Sequence, residues 1–282
     1  MNVHPNFLLK NKPKPILKWA GGKSSLLPKF LENFPQNFET YLEPFLGGAS
    51  VFLSLSPRIP AIINDSHPEL FNLYSVLSLF PQELCEILDT YAAQYSQEFY
   101  YDLRKSKIEN SIERAARTLF LNKTGFNGLF RHNSKGEFNV PFGKRQKCPT
   151  LYDLKNILLV SAKLRQAKLF QYDFEVIFSM SKAGDFIYCD PPYEPLSRTS
   201  SFNHYQGGGF SQYDQKRLYS CAKEAASRGV MVAISNSCSD FILNLYKEDK
   251  IFRIPARRSI NSNGQKRGII EEVLTLISAS SP

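Results

Sequence analysis

Four adjacent residues, Asp190-Pro191-Pro192-Tyr193, carry the densest chemistry in the chain. They follow an apolar run, Phe186-Ile187-Tyr188-Cys189, that reads as a buried strand. In an α/β sheet, ligands sit at the carboxyl ends of strands. Proline has no N–H, so the two carbonyls and the Asp carboxylate are all acceptors. Tyr193 adds a flat face. Acceptors beside a stacking ring suit an exocyclic amine on a planar base. The same residues also suit a Pro-rich turn capped by an Asp.

Two further stretches could bind a ligand. Glu43-Pro44-Phe45-Leu46-Gly47-Gly48-Ala49-Ser50 reads as a strand-to-helix turn whose glycines permit close backbone approach. It is not the G-x-G-x-x-G dinucleotide fingerprint. Asp65 ends the next apolar run, about 20 residues on, where a mononucleotide-binding fold places an acid for a ribose diol. An exposed turn Asp is the plainer alternative. Lys18-Trp19-Ala20-Gly21-Gly22-Lys23 holds the only Trp of the chain between two lysines. A lone Trp is more often core than ligand platform.

The elements that must position these residues alternate in type. Residues 1–15 read as a Pro- and Lys-rich arm, and 16–34 as a turn and helix. Tyr41–Phe45 reads as a strand, Ala49–Leu55 as a helix, and Ala61–Asp65 as a second strand. Residues 67–121 carry a helical period in three segments, and 122–149 suit a loop-rich or hairpin element. From Leu151 the alternation returns. Helix is expected in 153–167 and 212–228, and strand in 168–172, 185–189, 230–234 and 268–277. Strands separated by helices imply a largely parallel sheet. The block near 67–149 then looks like an insertion into one α/β domain. The expected division is 1–66 with 150–282, and 67–149.

A chain of 282 residues can bury a core without staples. With 43% hydrophobic and 22% charged residues it is a globular composition. No window approaches 18 consecutive apolar residues, so no membrane span is expected. Met1–Phe7 lacks an apolar segment, so no secretory signal is expected either. Five scattered cysteines without C-x-x-C spacing argue against disulfides and structural zinc, and for a cytoplasmic setting. The net charge is +9. Residues 1–31, 129–149 and 253–268 carry 6, 5 and 5 Lys/Arg against a single acid, Glu137. These stretches exceed the net charge, so the rest of the chain is acidic. A basic footprint on an acidic body points to a polyanion, nucleic acid first, or to a solvated basic surface.

Together the stretches ILKWAGGK, YLEPFLGGASVF, INDSHPEL, FLNKTGFNGLFRHNSKGEFNVPFGK, DFIYCDPPYEPLS, ISNS and RRSINSNGQKR resemble, in order, the Dam-type (class alpha) DNA adenine-N6 methyltransferases. The resemblance implies a mostly parallel Rossmann-like sheet with an inserted, mainly helical target-recognition domain. It implies S-adenosylmethionine bound by Trp19, Ala20, Gly21, Lys23, Glu43, Pro44, Phe45, Gly47, Gly48, Ala49, Ser50, Asp65 and Asp190, with Asp173 and Phe174 at its adenine. Asp190, Pro191, Pro192 and Tyr193 would be catalytic, receiving an adenine flipped out of duplex DNA. DNA contacts are implied for Lys18, Phe126, Asn127, Leu129, Arg131, Pro141, Arg145, Arg257 and Arg258, with Lys18 and Arg131 on guanine edges. The insert resembles readers of GATC, or of a longer site beginning GAT. Residues 197–211 read as a mobile loop, and the last basic stretch as a hairpin on phosphates. No metal is expected, and one active site per flipped base suggests a monomer. RNA adenine methylation, or DNA binding without catalysis, are the competing readings.

Overall fold

The computed structural model describes residues 6–8, 12–19, 21–133, 136–195, 210–257 and 269–279. Its centre is a seven-stranded sheet. The strands are β1 (Tyr41–Glu43), β2 (Ala61–Asn64), β3 (Ala167–Phe170), β4 (Phe186–Cys189), β5 (Met231–Ser237), β6 (Lys250–Arg257) and β7 (Ile269–Ile277). Their order across the sheet is β3-β2-β1-β4-β5-β7-β6. The first five pair in parallel, and β7 lies antiparallel between β5 and β6. The fold is therefore a mixed α/β, mostly parallel Rossmann-like sheet with a helical region.

Side-chain alternation divides the core into two layers. Tyr41, Phe186 and Tyr188 face one layer with Phe30, Phe34 and Phe52. Leu42, Ile187 and Cys189 face the other, with Leu218, Ala222 and Ile177. All four residues of β4 are buried, as expected of a parallel strand covered on both faces.

The helices are α1 (Leu27–Leu31), α2 (Pro68–Leu79), α3 (Pro81–Ala93), α4 (Gln97–Lys105), α5 (Ser111–Thr124), α6 (Leu154–Leu164), α7 (Phe174–Ser179), α8 (Gln212–Ser227) and α9 (Asp240–Leu245). Their starts are written in the sequence. Asn110 accepts from the backbone N–H of Ile112 and Glu113, and Ser211 forms a capping box with Asp214. Pro68 and Pro81 sit in first turns, where a missing N–H costs nothing. Helices α2, α3, α5 and α6 pack together, and their apolar faces join the first layer.

Several boundaries differ from expectation, each for a local reason. β1 stops at Glu43 because Pro44 cannot donate to a ladder. The expected helix over Ala49–Leu55 is a single 3-10 turn, Phe52–Ser54. The region read as three helices holds four. The segment QEFYYDLRK forms α4, a helix of 9 residues with only Tyr100 and Leu103 buried, too short to stand out beside its longer neighbours. β6 escaped notice because Pro255 and three basic residues interrupt it, which an edge strand tolerates. Residues 125–142 form a hairpin-like element, bridged at Gly125–Phe142 and His132–Phe138.

Gly125 sits where α5 meets this hairpin. A Cβ there would lie 2.6 Å from the Leu121 carbonyl oxygen and 3.0 Å from the Tyr100 hydroxyl. Its φ of −70° is ordinary, so space and not conformation demands glycine. Gly136, at the hairpin tip, has φ +75° and nothing within 4 Å of a built Cβ. Gly125→Ala is expected to cost about 1–3 kcal/mol by overpacking. Gly136→Ala should cost only about 1 kcal/mol, for the left-handed backbone. Urea midpoints of the two variants check this order.

Candidate active site

The chain order reverses across the sheet between β1 and β4, which opens a crevice at their carboxyl ends. Asp190 stands at the end of β4, on that crevice. Its Oδ1 lies 2.9 Å from Lys23 Nζ and accepts from Ser235 Oγ at 2.7 Å. Among the described residues, its Oδ2 accepts no bond. Lys23 is 2% exposed. Its ammonium also donates to the Gly21 carbonyl at 2.6 Å and lies 3.9 Å from Glu272 Oε2. The same ammonium sits 4.6 Å from the centre of the Tyr193 ring. Tyr193 Oη donates to Glu272 at 2.7 Å. Burial, then the Asp190 and Glu272 charges, push the Tyr193 hydroxyl well up, so it remains a donor. Burial raises Glu272, against the opposing pull of Lys23.

The two prolines differ. Pro192 O accepts from Gln215 Nε2 at 3.0 Å, and Gln215 is held by Asn236. Pro191 O takes no bond among the described residues. Among the described residues, Asp190 Oδ2 and the Pro191 carbonyl are thus left as free acceptors at this strand end. Ser235, Asn236, Gln215 and Glu272 were not singled out from the sequence. Only the stretch ISNS pointed near two of them.

The glycine turn lies beside this motif. A Cβ on Gly47 would meet Trp19 Nε1 at 2.7 Å, and one on Gly48 would meet Trp19 Cβ at 2.8 Å. The glycines therefore admit the indole of Trp19, which packs into the turn. Gly47 N donates to Asp65 Oδ2 at 2.8 Å, and His67 N donates to Asp65 Oδ1 at 3.0 Å. Burial raises the Asp65 carboxyl to about 6 against the lowering effect of those bonds. Ser50 Oγ accepts from Lys23 N at 3.2 Å, and Tyr74 Oη donates to Gly47 O at 2.7 Å. Gly47 and Ala49 have φ of +47° and +59°. Glu43 is buried and accepts from Tyr41 Oη at 2.9 Å. Burial holds its carboxyl well above the usual range, Tyr41 opposes this, and Asp190 adds to it. Asn64 also went unnoticed in the sequence. It joins Pro44 O, Tyr172 O and Tyr172 N, and so ties three strand ends together. Asp173 caps α7, and the Phe174 ring lies 5.5 Å from Phe45.

A second group of expected residues gathers at the hairpin. Asn122 is wholly buried, accepts from Lys18 N, and donates to Lys18 O and Gly128 O. The Lys18 stem crosses Gly128 so closely that no Cβ would fit. Partial desolvation and the Arg145 charge lower the Lys18 pKa, while burial and Lys18 lower that of Lys123. The ring of Phe126 is 50% exposed, and Asn127 beside it has φ +54°. Phe126 N donates to Pro141 O at 2.8 Å. Arg131 is exposed, with Nε donating to Asn139 Oδ1 at 2.7 Å. Leu129 is partly buried against the core. The structure thus brings Lys18, Phe126, Asn127, Leu129, Pro141 and Arg145 to one neighbourhood. Arg257 ends β6 on another edge of the sheet. Ala20, Arg258, the basic turn 258–268 and nearly all of the loop expected over 197–211 lie outside the described residues.

One contact joins the two groups. The Phe130 ring packs on Trp19 at 5.2 Å and on His67 at 5.3 Å. His132 stacks on His67 at 4.7 Å. Burial lowers the pKa of both imidazoles, that of His132 to about 4, so both are neutral at pH 7.

Removing one partner from a buried ion pair strands the other charge. Lys23→Met leaves Asp190 and Glu272 without their buried cation. It should lower unfolding free energy by about 3 kcal/mol, read as a fall in the urea midpoint.

Among the described residues, no helix is long and apolar enough to cross a membrane, and no three His, Cys, Asp or Glu are placed to hold a metal ion. The family model for D12 class N6 adenine-specific DNA methyltransferase matches residues 19–260. The type II methyltransferase M1.LlaDCHI of Lactococcus lactis subsp. cremoris is 41% identical, over 95% of this chain and 98% of its own. The type II methyltransferase M.MjaIII of Methanocaldococcus jannaschii is 39% identical, over 92% of this chain and 97% of its own. A DNA adenine methylase of Vibrio cholerae is 35% identical, over 94% and 96%. With the acceptor motif at the sheet's switch point and matches that run nearly end to end, the chain belongs to the D12 class N6 adenine-specific DNA methyltransferases.

Proposed function

We propose that this enzyme methylates N6 of an adenine flipped out of duplex DNA at GATC, using S-adenosylmethionine. One observation carries the reading. Among the described residues, Asp190 keeps one carboxylate oxygen, and the adjoining Pro191 its carbonyl, without a partner, with Tyr193 two residues further on. The two acceptors suit the two protons of an adenine amine. Hydrogen bonding to both protons favours a pyramidal nitrogen, whose lone pair leaves the ring system. Asp190 then faces the positive charge that develops on that nitrogen. Lys23 and Ser235 fix the carboxylate's orientation, and the Tyr193 ring has a face for stacking.

The residues present fit the cofactor. Each Asp65 oxygen accepts one backbone bond and keeps capacity for a second, which suits ribose hydroxyls. The Glu43–Ser50 turn, braced by Trp19, would hold the methionine part, and Asp173 and Phe174 the adenine. The cofactor, when bound, supplies a methyl group on a sulfonium that leaves as a neutral thioether.

Residues 67–149 would read the target, and 1–66 with 150–282 would catalyse, in a cytoplasmic monomer. Lys18 and Arg131 would meet guanine edges, and the exposed Phe126 would fill the gap left by the flipped base. Support for GATC is the likeness of FNGLFRHNSKGEFNVPFG to readers of that site.

The decisive experiment transfers labelled methyl to duplexes carrying GATC or single-base changes of it. Label confined to GATC is the expected outcome, and label on several variants means a looser or longer site. No label on any duplex would overturn the reading. Asp190→Ala should abolish transfer and keep DNA binding. Arg131→Ala should spread label to variants, because one guanine contact is worth about 1–3 kcal/mol of discrimination.

Asp65 sets a pH dependence. Its carboxyl titrates near 6 in the folded chain, above the ordinary Asp value. Ribose hydroxyls donate to the ionised form, so affinity for S-adenosylhomocysteine should rise between pH 5 and 7. In the free protein the sign is opposite. The raised value contributes stability below the ordinary Asp pKa, and that contribution is lost as pH rises through 6. Calorimetric titrations at several pH values check the binding trend.

A further inference from the structure

Asp173 and Phe174 open α7, and one side chain from another helix holds both. Arg217 of α8 places Nη2 3.0 Å from Asp173 Oδ1, Nε 2.8 Å from Glu175 Oε1 and Nη1 2.9 Å from Asp214 Oδ1. Its guanidinium carbon lies 4.8 Å from the centre of the Phe174 ring. Guanidinium donors lie in one rigid plane, so three bonded carboxylates define its orientation completely. Lysine could not do this.

All three carboxylates have evident structural tasks. Asp214 belongs to the capping box that starts α8. Glu175 lies in the first turn of α7, where an acid suits the helix dipole. Asp173 caps α7 but differs in one respect. Its Oδ1 takes both the Arg217 bond and the cap bond from Glu175 N, at 3.0 Å each. Its Oδ2 accepts nothing among the described residues. One oxygen is locked, and the other is presented.

An aromatic wall adjoins it. Phe45 follows β1, Phe174 opens α7, and Phe210 precedes α8. Phe45 lies 5.5 Å from Phe174 and 5.6 Å from Phe210, and Phe174 lies 5.8 Å from Phe210. Phe45 and Phe210 are only partly buried. An apolar cluster of rings, tilted against one another by 32° to 86°, beside one oriented acceptor suits a purine bearing an exocyclic amine.

We infer that Arg217 is a positioning residue: it orients Asp173 so that the free oxygen accepts from the 6-amino group of the cofactor's adenine, and Phe210 is a third ring of the purine wall. This rests on the reading of Asp173 and Phe174 as adenine-binding residues.

The test compares two ligands by calorimetry. One is S-adenosylhomocysteine, and the other is its analogue with hydrogen in place of the 6-amino group. A hydrogen bond to a charged acceptor gives the wild type a preference of about tenfold or more for the amino compound. Arg217→Met should bring that preference within about twofold, with a thermal transition that shows the variant folded. Arg217→Lys keeps the charge and loses the fork, and should fall between them. Phe210→Ala should weaken both ligands alike, by about tenfold.

The failures are distinguishable. A wild type that binds neither ligand overturns the cofactor reading itself. A wild type that binds both equally removes Asp173 from the amine. Full preference retained in Arg217→Met and Arg217→Lys overturns the positioning role, whatever happens to stability. Unchanged affinities in Phe210→Ala remove that ring from the wall.

Discussion

The site depends on one buried cation among acids. Glu43, Asp190 and Glu272 all lie at or near the carboxyl ends of the central strands, and Glu43 is buried. Burial raises the proton affinity of Glu43 and Glu272, and the neighbouring Asp190 charge adds to it. Lys23 answers this from outside the sheet. Its ammonium reaches Asp190, Glu272, the Gly21 carbonyl and the Tyr193 ring at once. A buried pair of this kind is weak as a source of stability, because desolvation offsets most of the Coulomb gain. What it determines is geometry. Lys23 and Ser235 both occupy Asp190 Oδ1, so among the described residues the other oxygen is left without a partner.

The parallel sheet makes this concentration of acceptors tolerable. Its strands point the same way, so their polar ends collect on one edge while apolar centres fill both layers. Buried polar groups at that edge must then satisfy one another. Asn64, Ser235, Asn236 and Gln215 do so in short relays that cross from strand to strand and strand to helix. Lys23 joins the two sets of relays: its N donates to Ser50 in the turn after β1 and its Nζ pairs with Asp190 after β4, about 140 residues on.

The hairpin over 125–142 is anchored to the same edge by two contacts. Asn122 bonds Lys18 and Gly128 to each other, and Phe130 packs on the Trp19 that fills the glycine turn. Lys18, Trp19 and Lys23 lie within six residues, so one short segment touches the hairpin, the turn and the acceptor motif in succession. The proposed base reading and methyl transfer would need about ångström-level agreement between their parts. The contacts of Lys18, Trp19 and Lys23 would supply it, with burial lowering the imidazole pKa values of His67 and His132 beside them.

Local chemistry was legible in the sequence. Caps and prolines marked helix starts, the apolar run before Asp190 marked β4, and the ordered motifs implied the family. These signals are local because a missing N–H or a short polar cap acts within a few residues. Short or interrupted elements were not legible. α7 and α9 are a turn and a half long, α4 buries two side chains, and β6 carries its signal only as a partner of β7. Nor could the sequence tell why the glycines are there, since the indole against Gly47 and Gly48 comes from Trp19, nearly thirty residues away. The sequence by itself determined which acceptors, rings and cations the chain owns, because residue type fixes what a group can donate, accept or stack. Tertiary structure alone decided which of them are spent on each other and which stay free, because hydrogen-bond capacity is consumed by neighbours that only the fold brings within reach.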